Sequence, residues 1–388
     1  MLALLSRAKN NPKLMKTKKS RQRSMFVVAG ETSGDLLASR VVRTLKRRDP
    51  KLKVFGLGGP ALAAAGMDVR EDLTKQSLIG FVEVAKHLPQ IFRRFSQCER
   101  WFREERPDLV FLTDYPGFNL RLAERAHALG IPVCYYVAPQ AWAWHESRVA
   151  VMRKVISRLL VLFPFEEPWF RERGVEALYV GHPMAETIRP TAPQPFTQAL
   201  RICVMPGSRP SELERLWPLM LTASRLLRKT HPSACFVVPL PPSVPASVFP
   251  GLTDSDPFSF VRSDDMKARG ACHFAWVKSG TSTVETALLG TPHLIVYKVA
   301  SLSYRIAKAL VKVKYAGILN LILGRLAVPE LLQDDATPDR MVAETLAVLG
   351  SPERLRGQRR AFSELRKILS RPAHASANAA RAVQEMLR

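Results

Sequence analysis

Along this 388-residue chain, short β-branched runs alternate with stretches of helical apolar spacing, which restricts it to α/β folds built on parallel sheets. The runs fall at 26–29, 54–56, 109–113, 133–137, 159–163 and 178–180, then again at 202–205, 236–239, 258–261, 274–278 and 294–297. Between the two sets Pro190, Pro193 and Pro195 interrupt any regular element. The length is too great for one ordinary core. The economical reading is two Rossmann-like doubly wound domains facing a cleft. It gives a disordered basic tail at 1–24, an N-terminal domain at 25–188, a linker at 189–199, a C-terminal domain at 200–351, and basic helices at 352–388 that pack on either domain.

In open parallel sheets ligands bind beyond the carboxyl ends of the strands, so the residues that follow each run are the candidate site. The first run leads into Gly30-Glu31-Thr32-Ser33-Gly34-Asp35, a glycine loop shaped for anions that nevertheless carries two carboxylates and no lysine. The run at 109–113 leads into Asp114-Tyr115-Pro116-Gly117-Phe118-Asn119, and the next into Ala138-Pro139-Gln140-Ala141-Trp142-Ala143-Trp144. In the second half Pro206-Gly207-Ser208-Arg209 and Ser279-Gly280-Thr281 take the equivalent places.

The two halves have opposite electrostatics. Gly207, Ser208 and Arg209 offer backbone donors, a hydroxyl and a guanidinium able to grip a diphosphate in bidentate fashion. Ser279, Gly280 and Thr281 precede a helix, and Glu285, one turn beyond Thr281, is placed to accept from a ribose diol. The second half therefore reads as a nucleoside-diphosphate site and the first as the place where a proton is removed. Asp114 is the candidate base: aromatic neighbours in a narrow cleft desolvate its carboxylate and raise its proton affinity. A turn-forming Asp before Pro116-Gly117 is the plain alternative. Asp35 is either a helix N-cap or a ligand contact, whereas Glu31 caps nothing obvious.

Charge and cysteines narrow the class. The net charge is +24, of which residues 1–24 supply eight basic groups and no acid, leaving +16 spread along the rest. No nucleic-acid-binding signature accompanies it, so an anionic surface or substrate accounts for it and no nucleic-acid partner is expected. Five dispersed cysteines without a Cys-x-x-Cys pair indicate neither a disulfide framework nor zinc, and fit a reducing cytoplasmic setting. Asp254-Ser255-Asp256 resembles a metal-holding Asp-x-Asp pair but lies away from the strand ends, so we expect no metal and no cofactor. No apolar run reaches the roughly 18 uncharged residues of a membrane span.

Residues 30–35, 138–144, Gly181-His182-Pro183-Met184, 206–209, 279–281 with Glu285, and the stretch 315–333 together resemble the lipid-A-disaccharide synthases, in order and spacing from about Met25 onward. The resemblance implies a GT-B glycosyltransferase. Such an enzyme joins UDP-2,3-diacylglucosamine to 2,3-diacylglucosamine 1-phosphate, giving a β-1,6-linked disaccharide and UDP with inversion at the sugar carbon. It further implies Asp114 as base, Glu31 as supporting acid, Arg209 as diphosphate clamp, Glu285 on the ribose, and Asn320 on the nucleotide. The loops holding Ser33, Gly34, Asp35, Asn119, Gln140 and Trp142 are assigned to the acceptor. Ala138 stands where the family commonly has serine, Glu186 where it has aspartate, and Ala327-Val328-Pro329 interrupts the usual end of its block.

Acyl chains need an apolar berth. In the segment 77–97, Ile79, Phe81, Val82, Leu88 and Phe92 are interleaved with Lys86, Arg93 and Arg94, a pattern suited to an anionic lipid surface and equally to a core-facing helix. Trp142 has the same two readings. The expected setting is peripheral, on the cytoplasmic face of the inner membrane, and a homodimer stays open. Another sugar-nucleotide enzyme of the same fold, a UDP-N-acetylglucosamine 2-epimerase or the peptidoglycan N-acetylglucosaminyltransferase, is the alternative. Glu31 and the Pro-Gln-Ala-Trp-Ala-Trp run speak against both.

Overall fold

The computed structural model describes residues 22–74, 88–143, 146–192, 194–195, 199–207, 209–240, 244–299 and 314–388. Ile79, Phe81, Val82, Trp144, Ser208, the linker residues 193 and 196–198, and most of the expected tail lie outside them. The tail boundary moves back at its end: Ser24 already opens the first strand, its N–H donating to Asp108 Oδ2 at 2.7 Å, and Arg23 pairs with Asp49 at 3.0 Å.

Seven parallel strands form the first sheet, β1 Ser24–Ala29, β2 Lys53–Gly58, β3 Asp68–Asp72, β4 Leu109–Thr113, β5 Val133–Tyr136, β6 Arg158–Val161 and β7 Ala177–Tyr179, in the order β3-β2-β1-β4-β5-β6-β7. Helices cover both faces, so the central strands are buried throughout and read as unbroken apolar runs rather than alternating ones. The second sheet has six parallel strands, β8 Arg201–Met205, β9 Cys235–Leu240, β10 Phe258–Arg262, β11 Phe274–Lys278, β12 His293–Tyr297 and β13 Glu330–Leu332, in the order β10-β9-β8-β11-β12-β13. Each sheet changes winding direction once, between β1 and β4 and between β8 and β11. At such a switch the flanking loops diverge and leave a crevice.

The C-terminal segment divides between the halves. Phe362, Leu365 and Leu369 of the helix Pro352–Leu369 join a buried cluster with Val284 and Leu288 of the second half. Ala379, Ala380 and Val383 of the helix Ala375–Met386 pack instead on Ala38, Val41 and Leu45, in the first half's opening helix. The alanines let the two helices approach closely. Phe163, Ala185 and Ile188 of the first half also enter the second-half cluster, and the Arg366 guanidinium donates to the Ile188 carbonyl at 3.0 Å and to that of Leu288. No helix among the described residues is long and apolar enough to cross a membrane.

Candidate active site

At the first switch point β1 and β4 pair in register, Ala29 beside Thr113, so the loops that follow emerge side by side. Gly30 is required there, because a Cβ would stand 2.5 Å from the Tyr115 ring. Asp114 and Tyr115 both adopt left-handed backbone, each at φ 49°, which costs a non-glycine residue energy unless its surroundings fix it. Here they do. Asn119 Nδ2 donates to the carbonyls of Thr113 (3.2 Å) and Asp114 (2.7 Å), and the buried Tyr135 hydroxyl donates to the Asp114 carbonyl at 2.6 Å. The turn leaves the half-buried Asp114 side chain within electrostatic reach of Glu31 and Arg209. Burial pushes its carboxyl up to about 6, and the Glu31 charge adds to that rise. A hydrogen bond from the Tyr115 N–H and the positive charge of Arg209 act the other way.

Arg209 lies in the loop after β8, in the second half. Its charge nevertheless reaches Asp114 in the first half. Arg209 follows Gly207, whose φ of 110° and lack of a Cβ both matter, since a Cβ would meet Glu212 Oε2 at 2.3 Å. The helix Pro210–Thr230 starts with Arg209 as N-cap and Glu212 closing a capping box onto it. After β11, Gly280 at φ 150° caps the helix Thr281–Leu289. Glu285 lies on that helix, partly exposed, with Oε2 accepting from the buried Arg269 guanidinium at 3.0 Å.

The lipid-A-disaccharide synthetase family model matches residues 25–385. The lipid-A-disaccharide synthase of Anaeromyxobacter dehalogenans (strain 2CP-C) is 42% identical over 358 residues, covering 90% of this chain and 94% of that protein. The one from Syntrophus aciditrophicus (strain SB) is 37% identical over 359 residues, with the same shares covered. The chain belongs to the lipid-A-disaccharide synthase family. It is therefore a glycosyltransferase. Solved structures that resemble it include the glycotransferase of kitacinnamycin (TM-score 0.64, 16% identity, 95% of this chain and 100% of that one). Another is the UDP-GlcNAc 2-epimerase from Neisseria meningitidis bound to UDP-GlcNAc (TM-score 0.61, 13% identity, 94% and 99%). At such identities these likenesses show the GT-B fold alone.

In this synthase-family chain Glu31 and Asp114 follow β1 and β4 at the first switch point, Gly207 and Arg209 follow β8 and Gly280 and Thr281 follow β11 at the second, and Glu285 lies one turn along the helix Thr281–Leu289; Ser33 is exposed in the first turn of the helix Thr32–Arg48 and Gln140 is exposed in the loop after β5. Gly34 is buried, its backbone against Thr113. Five assignments change. Asp35 is buried and caps the helix Pro60–Ala64, its carboxylate accepting from Gly59, Ala61 and Leu62 N–H at 2.8, 2.9 and 3.2 Å, which leaves it no reach to an acceptor. Asn119 is fully buried and holds the Asp114 turn instead of touching substrate. Trp142 is a core residue, its Nε1 donating to buried Glu166 at 3.0 Å. Asn320 is also fully buried: Nδ2 donates to Val328 O and Glu330 Oε1, while Oδ1 accepts from Ala327 and Val328 N–H, so it pins the segment after its own helix rather than a nucleotide. The Ser279 hydroxyl donates to Ala316 O at 2.7 Å and fastens the segment before that helix to the second switch point.

Of the segment 77–97, residues from Leu88 onward are described. Leu88 opens the helix Leu88–Glu105, and Phe92 on it is 60% exposed. Among the described residues no group of His, Cys, Asp and Glu is arranged to hold a metal ion, and Asp256 of the Asp-x-Asp pair is paired with Arg225 at 2.7 Å. Sequence reasoning passed over Lys278, which ends β11 next to Ser279 with Nζ 2.8 Å from Glu212 Oε1. A cation at the carboxyl end of a central strand was the available signal.

Proposed function

We propose that this chain transfers a 2,3-diacylglucosaminyl unit from UDP to the 6-hydroxyl of 2,3-diacylglucosamine 1-phosphate, inverting the anomeric centre. Asp114 accepts the hydroxyl proton as the O6–C1 bond forms; the C1–O bond to the diphosphate breaks, and its electron pair leaves on UDP. Arg209, with the backbone N–H groups around Gly207, carries the negative charge that builds on that oxygen. Glu31 keeps the base receptive, and Glu285 takes the ribose. The observation that supports this most is the Asp114 carboxyl with its raised proton affinity, set at one switch point within electrostatic reach of Arg209 at the other. The exposed Phe92 and the basic surface fit a peripheral protein working on the cytoplasmic face of the inner membrane, where both lipid substrates partition.

Incubating the protein with UDP-2,3-diacylglucosamine and the acceptor monophosphate is expected to yield disaccharide and UDP in equal amounts. Asp114→Asn is expected to lose the product and keep UDP affinity. Release of UDP without disaccharide, or an epimerised donor, replaces this reading with the other sugar-nucleotide class.

A further inference from the structure

Lys278 ends β11 and reaches toward the loop after β8, which the proposed function gives to the donor diphosphate. Its side chain is 21% exposed. A Cβ on Gly280 would come 3.5 Å from its Nζ, so the lysine folds over the turn after β11 instead of extending into solvent. Its partner, the Glu212 carboxylate, also lies 3.6 Å from the Arg209 guanidinium and accepts from the Arg209 backbone N–H at 3.4 Å. The Oε2 atom of that carboxylate fills the room above Gly207 that a side chain there would need. One negative group thus occupies the point where the loop after β8 and the loop after β11 converge, ringed by two cations and a backbone N–H. Tyr297, at the end of β12, borders the same pair: its hydroxyl is raised first by burial and then by Glu212, and lowered by Arg209.

Two cations and an N–H over a glycine of positive φ are the ligands a diphosphate takes. A single carboxylate satisfies them only in part. Its contacts to Arg209 are long, and partial solvent access weakens the ion pair to Lys278. A diphosphate brings at least two charges and more acceptor oxygens to the same place.

We infer that Lys278 is a second cationic ligand of the donor diphosphate, and that the Glu212 carboxylate holds the diphosphate's place in the unliganded protein and yields it when the donor binds. The inference rests on the sugar-nucleotide reading of this cleft and goes beyond it by naming what fills the cleft at rest. Glu212 then acts on donor affinity through its hold on Lys278 and Arg209, and does so without touching the sugar.

Calorimetry on the full-length protein with UDP and with uridine tests it. Lys278→Met is expected to weaken UDP binding roughly tenfold, the value of one charge-assisted contact, while uridine affinity stays the same. Lys278→Arg is expected to restore it. Glu212→Gln retains an oxygen for the Arg209 N–H but removes the charge, and is expected to bind UDP at least as tightly as the wild type. Unchanged UDP affinity in Lys278→Met overturns the inference. So does Glu212→Gln weakening UDP as much as Lys278→Met does, which makes the pair a scaffold. Arg209→Ala is the control: a wild type that binds no UDP, with Arg209→Ala indistinguishable from it, removes the sugar-nucleotide reading itself.

Discussion

Glu31 and Asp114 emerge side by side from paired strands β1 and β4, and the Glu31 charge is the largest influence after burial on the raised proton affinity of the Asp114 carboxyl. The parallel pairing accounts for this, since it brings the ends of strands far apart in sequence onto one edge of the crevice. The carboxylates in the anion-shaped loop at 30–35 then have separate roles. Glu31 supplies a negative field at the base, and Asp35 caps a neighbouring helix.

A base at about 6 is ionised above that pH and protonated below it. The transfer rate is therefore expected to fall as pH drops through about 6, approaching tenfold per unit well below it. Glu31→Gln removes a charge that raises the carboxyl, so the acid limb is expected to shift to lower pH. A pH–rate profile of the variant whose acid limb stays put or moves upward excludes Glu31 as the tuning charge.

Asn119 holds the turn that carries Asp114, the proposed base, through the backbone. Its amide donates to two consecutive carbonyls at the left-handed turn, so Asn119→Ala leaves both without that donor and costs about 1–3 kcal/mol of stability. With the Asp114 turn loosened, kcat is expected to drop at least tenfold while the KM for donor changes less. Urea denaturation and steady-state kinetics check both. Equal losses in kcat and donor affinity point to general unfolding instead.

Central strands were legible in the sequence because burial on both faces makes them unbroken apolar runs, and β4 coincides with the run at 109–113 residue for residue. The edge strands β3 and β13 were not. Asp68-Val69-Arg70-Glu71-Asp72 reads as a polar loop because an edge strand is only half covered and uses charge to discourage further pairing. Near the switch points, the placement of Asp114, Glu31 and Arg209 was readable because they lie one, two and four residues beyond the ends of β4, β1 and β8. The ligand roles of Asp35, Asn119, Trp142, Ser279 and Asn320 could not be decided from the sequence for one reason. A polar group near a strand end or in a helix's first turn meets either ligand or protein, and which of the two depends on where distant carbonyls, N–H groups and carboxylates lie, such as Gly59 for Asp35, Glu166 for Trp142 and Val328 for Asn320.

Arg209 is the proposed diphosphate clamp and its charge also reaches Asp114, so its removal is expected to have two signatures. Arg209→Ala is expected to weaken UDP binding by roughly tenfold or more, as one charge-assisted contact is lost. It also removes a positive charge that holds the Asp114 carboxyl down, so the acid limb of kcat/KM is expected to move to higher pH, opposite to Glu31→Gln. An unmoved limb together with weaker UDP binding confines Arg209 to the diphosphate and uncouples it from the base.

The helix Leu88–Glu105 separates core from surface at single-residue spacing. Phe95 is 3% exposed and stacks on Phe118 with ring centroids 4.4 Å apart, whereas Phe92, one turn earlier, is 60% exposed beside Arg93. Burying a lone exposed ring in a bilayer interface gains free energy that the folded protein alone does not realise, and the adjacent arginine favours anionic headgroups. Phe92→Ser is accordingly expected to reduce sedimentation with anionic phospholipid vesicles severalfold while changing stability by less than about 0.5 kcal/mol. Phe95→Ser is expected to cost about 3 kcal/mol or more, because it opens a cavity against Phe118 and places a hydroxyl in it. Unaltered vesicle sedimentation of a folded Phe92→Ser variant removes this face from membrane contact, since no other consequence of that substitution reaches the core.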